Sequence, residues 1–292
     1  MHSLILVPML AAATFAGPTD DKAALLEKVR AAYANLETLS FDLRIEEVFP
    51  DRPFFDERLR GKKRTLEVQA VMAKGGRFRV EAFEGPERIA IMVSDGQEVF
   101  EWAKEGNRWT RYPASPSGEQ SGSEEVLLRH QDYPFLGSQN QIEPQGLFLA
   151  EQLPEISRPE YKLIGTAEID GRECDVIEQK TVETMLDERI TSLQTVCFDR
   201  KRHLAVKFAE TMEGTKAGRK VYSFSRSWLY RNIRPNAKLP EDAFTFTPPE
   251  GSTFIPPDKI EHRREQPPSL DGQPAPAFTL PAVKGGKVSL AD

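Results

Sequence analysis

Cysteine is nearly absent from this chain: Cys174 and Cys197 are the only two in 292 residues. Metal-ligand spacing is missing as well. The four histidines (His2, His130, His203 and His262) are scattered, with no HExxH among them, and they read as loop or surface residues. There is no P-loop, no GxGxxG and no GxSxG, which removes a phosphate cradle, a dinucleotide fingerprint and a nucleophile elbow. Carboxylates are plentiful, but on alternating strands they mark the solvated face, and nothing selects a catalytic pair. No dense basic patch occurs; HRRE at His262–Glu265 is short and reads as a solvated segment. The net charge of −6 argues mildly against nucleic acid or an acidic membrane surface as the main partner. The expectation is a non-enzyme with no catalytic residue, no metal and no cofactor.

Long hydrophobic runs are also lacking. The longest, Leu4 to Phe15, is too short to span a bilayer and ends in small residues before Gly17 and Pro18. Residues 1–16 therefore read as a secretory signal peptide cleaved after Ala16, although its start carries no Lys or Arg. The competing reading is a buried N-terminal strand. No cysteine sits near the cut, so a lipid anchor is not expected. Export, to the periplasm or beyond, is the expected localisation.

What is present is a regular succession of amphipathic segments. Leu25, Val29, Ala32, Tyr33 and Leu36 recur at helical spacing, which predicts a helix over Asp20–Leu39. Then the period changes to two, with Phe41, Leu43 and Ile45 alternating with Asp42, Arg44 and Glu46. Strand signals follow at Arg64–Ala73, Arg77–Phe83, Arg88–Ser94, Gln97–Ala103 and Arg108–Tyr112, with a hairpin turn at Asp95-Gly96. Pro113–Gln131 shifts to Ser, Gly, Glu and Pro, an excursion with room for a short helix at Glu124–His130. Gln145–Leu153 reads as a short apolar helix begun by Pro144. Strands resume at Tyr161–Ile169, Arg172–Gln179, Ile190–Phe198, Leu204–Glu210 and Lys220–Tyr230. Asn232–Gly251, with Phe244 and Phe246, should close an edge or end of the sheet. Short turns join the strands, so the class is α+β with about eleven mainly antiparallel strands.

The helix ending ANLETLSFDL, then GGRFRVEAFEGP, SDGQEVFEWAKEGNRWTRYP and NAKLPEDAFTFTPPEG, come in an order that resembles the LolA-like outer-membrane lipoprotein carrier family. The resemblance covers about Asp20 to Thr253. It implies a curved, incompletely closed half-barrel whose concave face is covered by helices and holds acyl chains. The long Pro113–Gln131 insert departs from a dedicated carrier. Gly272, Ala275, Pro276, Phe278 and Leu280, then Val288, Leu290 and Asp292, resemble the opening of redoxin (thioredoxin-like) domains. The redoxin cysteines come after that opening, so none is carried over. The expected organisation is a signal peptide at 1–16, a LolA-like domain at 17–254, a Pro-rich linker at 255–271 and an incomplete redoxin-like start at 272–292.

For the site, the expectation is an apolar cavity lined by Phe41, Leu43, Phe78, Val80, Ile91, Phe100, Trp102, Phe224 and Trp228, with Ile45 and Tyr222 on the same face. The competing reading for most of these is plain core packing under the helix. Arg44, and Arg79 beside it in kind, would reach a lid carbonyl or a ligand head group, or serve as surface cations. The expected partner is a lipid or lipidated protein, with no nucleic acid and with an inner- or outer-membrane surface as a further candidate; the protein is expected to be a monomer. The alternative function is a non-catalytic sensing or docking module of a periplasmic redoxin protein. Cys174 and Cys197 flank a hairpin, and a register that opposed them would allow a disulfide; two buried free thiols are the other outcome.

Overall fold

The structure is a computed structural model that describes residues 19–51, 60–114, 156–185, 187–257, 279–281 and 287–289. The signal-peptide segment, the excursion and helix expected over 115–153, and most of the linker lie outside the described residues.

One helix, α1 (Thr19–Ala34), precedes a curved, unclosed sheet. It stops at Ala34, short of the expected Leu39, because Leu39 is already a buried member of the first strand. That strand, β1 (Thr38–Val48), is followed by a meander of β2 (Lys63–Ala73), β3 (Arg77–Glu84), β4 (Glu87–Asp95), β5 (Glu98–Ala103) and β6 (Arg108–Pro113). A second meander holds β7 (Lys162–Ile169), β8 (Arg172–Met185), β9 (Glu188–Asp199), β10 (Ala205–Lys216) and β11 (Arg219–Pro235). A two-residue strand, β12 (Thr253–Phe254), lies parallel to β6 and makes the twelfth strand. The order across the sheet is β12-β6-β5-β4-β3-β2-β1-β11-β10-β9-β8-β7. All other pairings are antiparallel, as the short turns dictate. The two meanders meet only where β1 pairs with β11. At the tail, β13 (Thr279–Pro281) and β14 (Lys287–Ser289) pair with each other, with Leu280 opposite Val288, and not with the main sheet.

Turn chemistry fixes the hairpins. At Asp95-Gly96 the Asp95 carboxylate accepts the amides of Gln97 (2.7 Å) and Glu98 (2.8 Å), while Gly96 takes φ +94°. A Cβ on Gly96 would stand 2.6 Å from the Gly75 carbonyl oxygen of the neighbouring turn, so only glycine fits.

Register assigns the faces. Leu39, Phe41, Leu43 and Ile45 project to the side occupied by α1, and Val68, Leu66, Tyr230 and Trp228 lie opposite or diagonal to them on that side. From α1, Leu25, Leu26 and Val29 bury against this inner face, with Ala32, Tyr33 and Leu36 packed at its margin. Tyr33 Oη accepts the Ala205 amide (3.2 Å), tying the helix to the start of β10. At the other end of α1, Lys22 Nζ donates to the carbonyls of Arg158 and Tyr161, both at 2.8 Å, just before β7.

Candidate ligand-binding face

Six expected site residues share the inner face: Phe41, Leu43, Phe78, Val80, Phe224 and Trp228. The register runs Met72↔Phe78, Ala70↔Val80, Phe41↔Ala70, Leu43↔Tyr230 and Ile45↔Trp228. Phe41 packs edge-on to Tyr230 at 5.3 Å between centroids, and Phe208 packs on Trp228 at 5.5 Å. The inner face continues through Met92, Ala90, Val99 and Ala103 on β4 and β5.

Four expected site residues are elsewhere. Ile91 pairs with Glu81 and with Trp102, and Phe100 pairs with Val93, which puts all three on the outer face. There Ile91 and Trp102 form a separate cluster with Val93, Trp109 and Phe246. Phe246 stacks on Phe100 (5.2 Å, 12° between planes) and tilts against Trp109 (5.5 Å), and Phe254 lies 4.6 Å from Trp109. Trp102 Nε1 donates to Asn107 Oδ1 at 2.9 Å. The Asn232–Gly251 stretch thus covers the outer face of the first meander, with Phe244 under the Arg77 guanidinium (5.3 Å). Arg44 is also outward, held by Glu46 at 2.8 Å. Arg79 pairs with Glu81 (2.6 Å) and donates to the Thr245 carbonyl (3.1 Å), which clamps the C-terminal cover.

A polar chain crosses the inner face, unmarked in the sequence by any motif. Tyr161 donates its hydroxyl to Gln194 Oε1, Gln194 Nε2 donates to Glu210 Oε1 (3.1 Å), and Arg226 meets Glu210 Oε2 at 2.6 Å. Opposite Arg226 on β1 stands Glu47, and opposite Glu47 on β2 stands Arg64, which approaches Glu84 at 3.6 Å. Burial pushes the Glu47 carboxyl above its ordinary value, against the pull of Arg226 and Arg64. Arg226, itself buried, also lies over the rings of Trp228 (5.6 Å) and Phe224 (5.9 Å). The chain divides the inner face. On the side of α1 lie Ile45, Trp228, Phe208, Val196 and Ile177; on the other side lie Phe224, Tyr222 and Met212, with Phe49 against Phe224 at 5.8 Å. Tyr222 lies across Gly214, where any Cβ would fall 2.1 Å from its ring.

A second inner-face feature is a buried acid. Glu101 on β5 accepts the Tyr112 hydroxyl at 2.7 Å, and both side chains are buried. Glu101 Oε2 and the cross-strand Thr110 Oγ1 have no hydrogen-bond partner among the described residues. Burial raises the Glu101 carboxyl to about 7.

The two cysteines are free thiols. Cys197 stands opposite Val176 and Cys174 opposite Asp199, a register two residues away from the one a disulfide needs. The thiols are therefore diagonal neighbours, about 7–8 Å apart by sheet geometry, where a disulfide needs Cβ atoms at about 4 Å.

Residues 23–256 match a family model described as "Predicted periplasmic protein (DUF2092)". The chain belongs to this family. As a DUF2092 protein it is periplasmic, and no described helix is long and apolar enough to cross a membrane. No curated protein matches the chain. Among solved structures, an uncharacterized conserved protein from Thermus thermophilus is similar at 9% identity over 81% of this chain and 99% of that one, with a TM-score of 0.40. LprF from Mycobacterium bovis is similar at 10% identity over 77% of this chain and 99% of that one (TM-score 0.37). The MucA/MucB complex of Pseudomonas aeruginosa gives 14% identity over 92% of this chain and 74% of that one (TM-score 0.34). Likenesses this remote say nothing of ligand or partner.

Proposed function

We propose that this DUF2092 protein is a non-enzymatic periplasmic module that takes an apolar ligand, an acyl chain or a lipidated protein, on the inner face of its sheet. The observation that carries the reading is an apolar inner face far wider than the helix laid on it. α1 brings Leu25, Leu26 and Val29 to a face that, on the α1 side of the polar chain, runs in apolar side chains from Met92 through Phe41 and Ile45 to Val196 and Ile177. A 16-residue helix is about 24 Å long and about 10 Å wide, whereas twelve strands span roughly 50 Å. The side chains of that face are buried within the protein, so an acyl chain would enter by taking the place of part of their cover, at about 0.8 kcal/mol for each CH₂ it buries. The resemblance to LolA-like carriers points the same way.

Phe78 and Phe100 make a matched pair for the test. Both are half-buried on the first meander, Phe78 inside and Phe100 outside. Titration with a fluorescent fatty acid should show binding by the wild type, a loss of ten-fold or more in Phe78→Asp, and little change in Phe100→Asp. Equal loss in both variants, or no binding by the wild type, removes the acyl reading.

A second reading, a docking module that serves a redoxin domain, is favoured by one observation: in the stretch that resembles a redoxin opening, Leu280 and Val288 pair with each other and with no strand of the main sheet. Native mass spectrometry of freshly purified protein separates the two. Retained lipid supports the first, and lipid-free protein the second.

A further inference from the structure

Where β8 begins, β9 turns into β10 and β11 ends, a groove of about 530 Å³ opens among cationic side chains. Arg172, Lys201, Arg202 and Arg234 line it, from three separate elements, together with the acids Asp42 and Asp199. The acids are already engaged. Asp199 Oδ1 accepts the backbone amides of Lys201 (2.7 Å) and Arg202 (2.9 Å), and Asp42 Oδ2 accepts Asn232 Nδ2 (2.5 Å). Of the cations, Arg172 has a loose partner in Asp170 (3.7 Å), and Arg202 spends one nitrogen on the Ile233 carbonyl (3.0 Å). Lys201 and Arg234 have no ion pair among the described residues.

The arrangement is built into the backbone. An extra residue in β11 breaks its register with β1 between Ser40 and Asp42, and Asn232 takes φ +49° there. That bulge turns Arg234 out of the regular alternation, and the tight turn capped by Asp199 presents Lys201 and Arg202. A protein of net charge −6 has thus gathered four cations, against two acids, around one concavity.

We propose that this groove seats the phosphate of anionic phospholipid headgroups and so docks the protein on a membrane surface. Guanidinium forks suit phosphate oxygens, and the volume suits one headgroup. A concavity with charged walls favours a small anionic group over an acidic peptide, which needs apolar pockets and backbone partners along its length. The compartment is bounded by membranes on both sides, so the surface is within reach. The overall negative charge, which argues against general attraction to an acidic bilayer, makes a local site necessary if the protein is to bind one. None of the groove's four cations belongs to the inner face that would take an acyl chain.

The test is co-sedimentation of the full chain with phosphatidylcholine vesicles, with and without phosphatidylglycerol. The expected result is binding only when phosphatidylglycerol is present. The double variant Lys201→Ala/Arg234→Ala should weaken it about twenty-five-fold, at about a factor of five for each cation lost near an anionic surface. Lys216→Ala/Lys220→Ala, the same charge change at the far end of β10 and β11, should leave it unchanged. Equal loss in both double variants, or wild type that ignores phosphatidylglycerol, overturns the proposal. Calorimetric titration with inorganic phosphate supplies the last arm: sub-millimolar binding without a vesicle preference makes this a free-anion site and overturns the membrane assignment.

Discussion

Glu101 couples stability to pH. Its carboxyl is raised by burial from 4.5 to about 7, so the folded state favours the neutral acid. That contribution is fully present below the unfolded value of 4.5 and is lost as pH rises through about 7. The full swing is on the order of 3 kcal/mol. Chemical denaturation at pH 5 and pH 8 should show the decline, and Glu101→Gln should flatten it. An equal decline in both proteins would assign the effect to another group. The thiols make a second prediction at this scale. Burial pushes Cys174 to about 11 and Cys197 to about 12, with Asp199 adding to the first and Cys174 to the second. Alkylating reagents should therefore modify neither in the native protein and both after denaturation, with no disulfide formed on the way. At Ile91, Phe100 and Trp102 the sequence and the structure differ in face, and the cause is physical. Alternation tells in from out only when one face meets water. In β4 every residue from Ile89 to Ser94 is buried, because α1's side and the Phe246 cover both exclude solvent. Ile91 then looks like Met92. The face could have been found only from register, which depends on the irregularity between Ala82 and Phe83.

At the level of elements, the inner-face polar chain sets the most demanding test. Arg226 and Glu210 are both nearly buried, so removing one leaves the other charged and dry. Arg226→Met alone should cost roughly 3–5 kcal/mol in urea unfolding, and adding Glu210→Met should recover most of it. Failure of the second change to recover stability would mean that Glu47, also facing Arg226, is the partner that matters. Gly214 gives a test of shape. Since its Cβ would meet the Tyr222 ring, Gly214→Ala must displace that ring, at about 1–3 kcal/mol. Gly214→Ala with Tyr222→Ala should then be milder than the sum of the two single changes. The sequence showed the eleven long strands by their period and several hairpins by their turns, as at Asp95-Gly96 and Asp170-Gly171, but not the two-residue β12. It did not show the polar chain, because Gln194, Glu210, Arg226 and Glu47 each look like one more polar residue on a strand. Only the pairing of β9 to β10 to β11 to β1 puts them in line.

For the whole molecule, the legible part was the class: an N-terminal helix followed by many short-turned, mainly antiparallel strands, with the open curvature of the sheet implied by the LolA-like resemblance. The layout of the two meanders was not legible, since nothing local in β1 says that its second neighbour is β11. That seam has a consequence in time. Each meander is made of neighbours in sequence and can zip up as it emerges, but Leu43 meets Tyr230 only when almost the entire domain is present. Closing so long a loop adds little to the equilibrium cost, since each doubling is worth about 0.6 kcal/mol, yet contacts this distant form late. A chain delivered to its compartment from the amino end would hold one side of β1 satisfied by β2 and the other bare until the last long strand arrives. Throughout that interval a strand carrying Leu39, Phe41, Leu43 and Ile45 on its inner face is an open edge, and any other extended chain that reaches it first is a competitor for the place of β11.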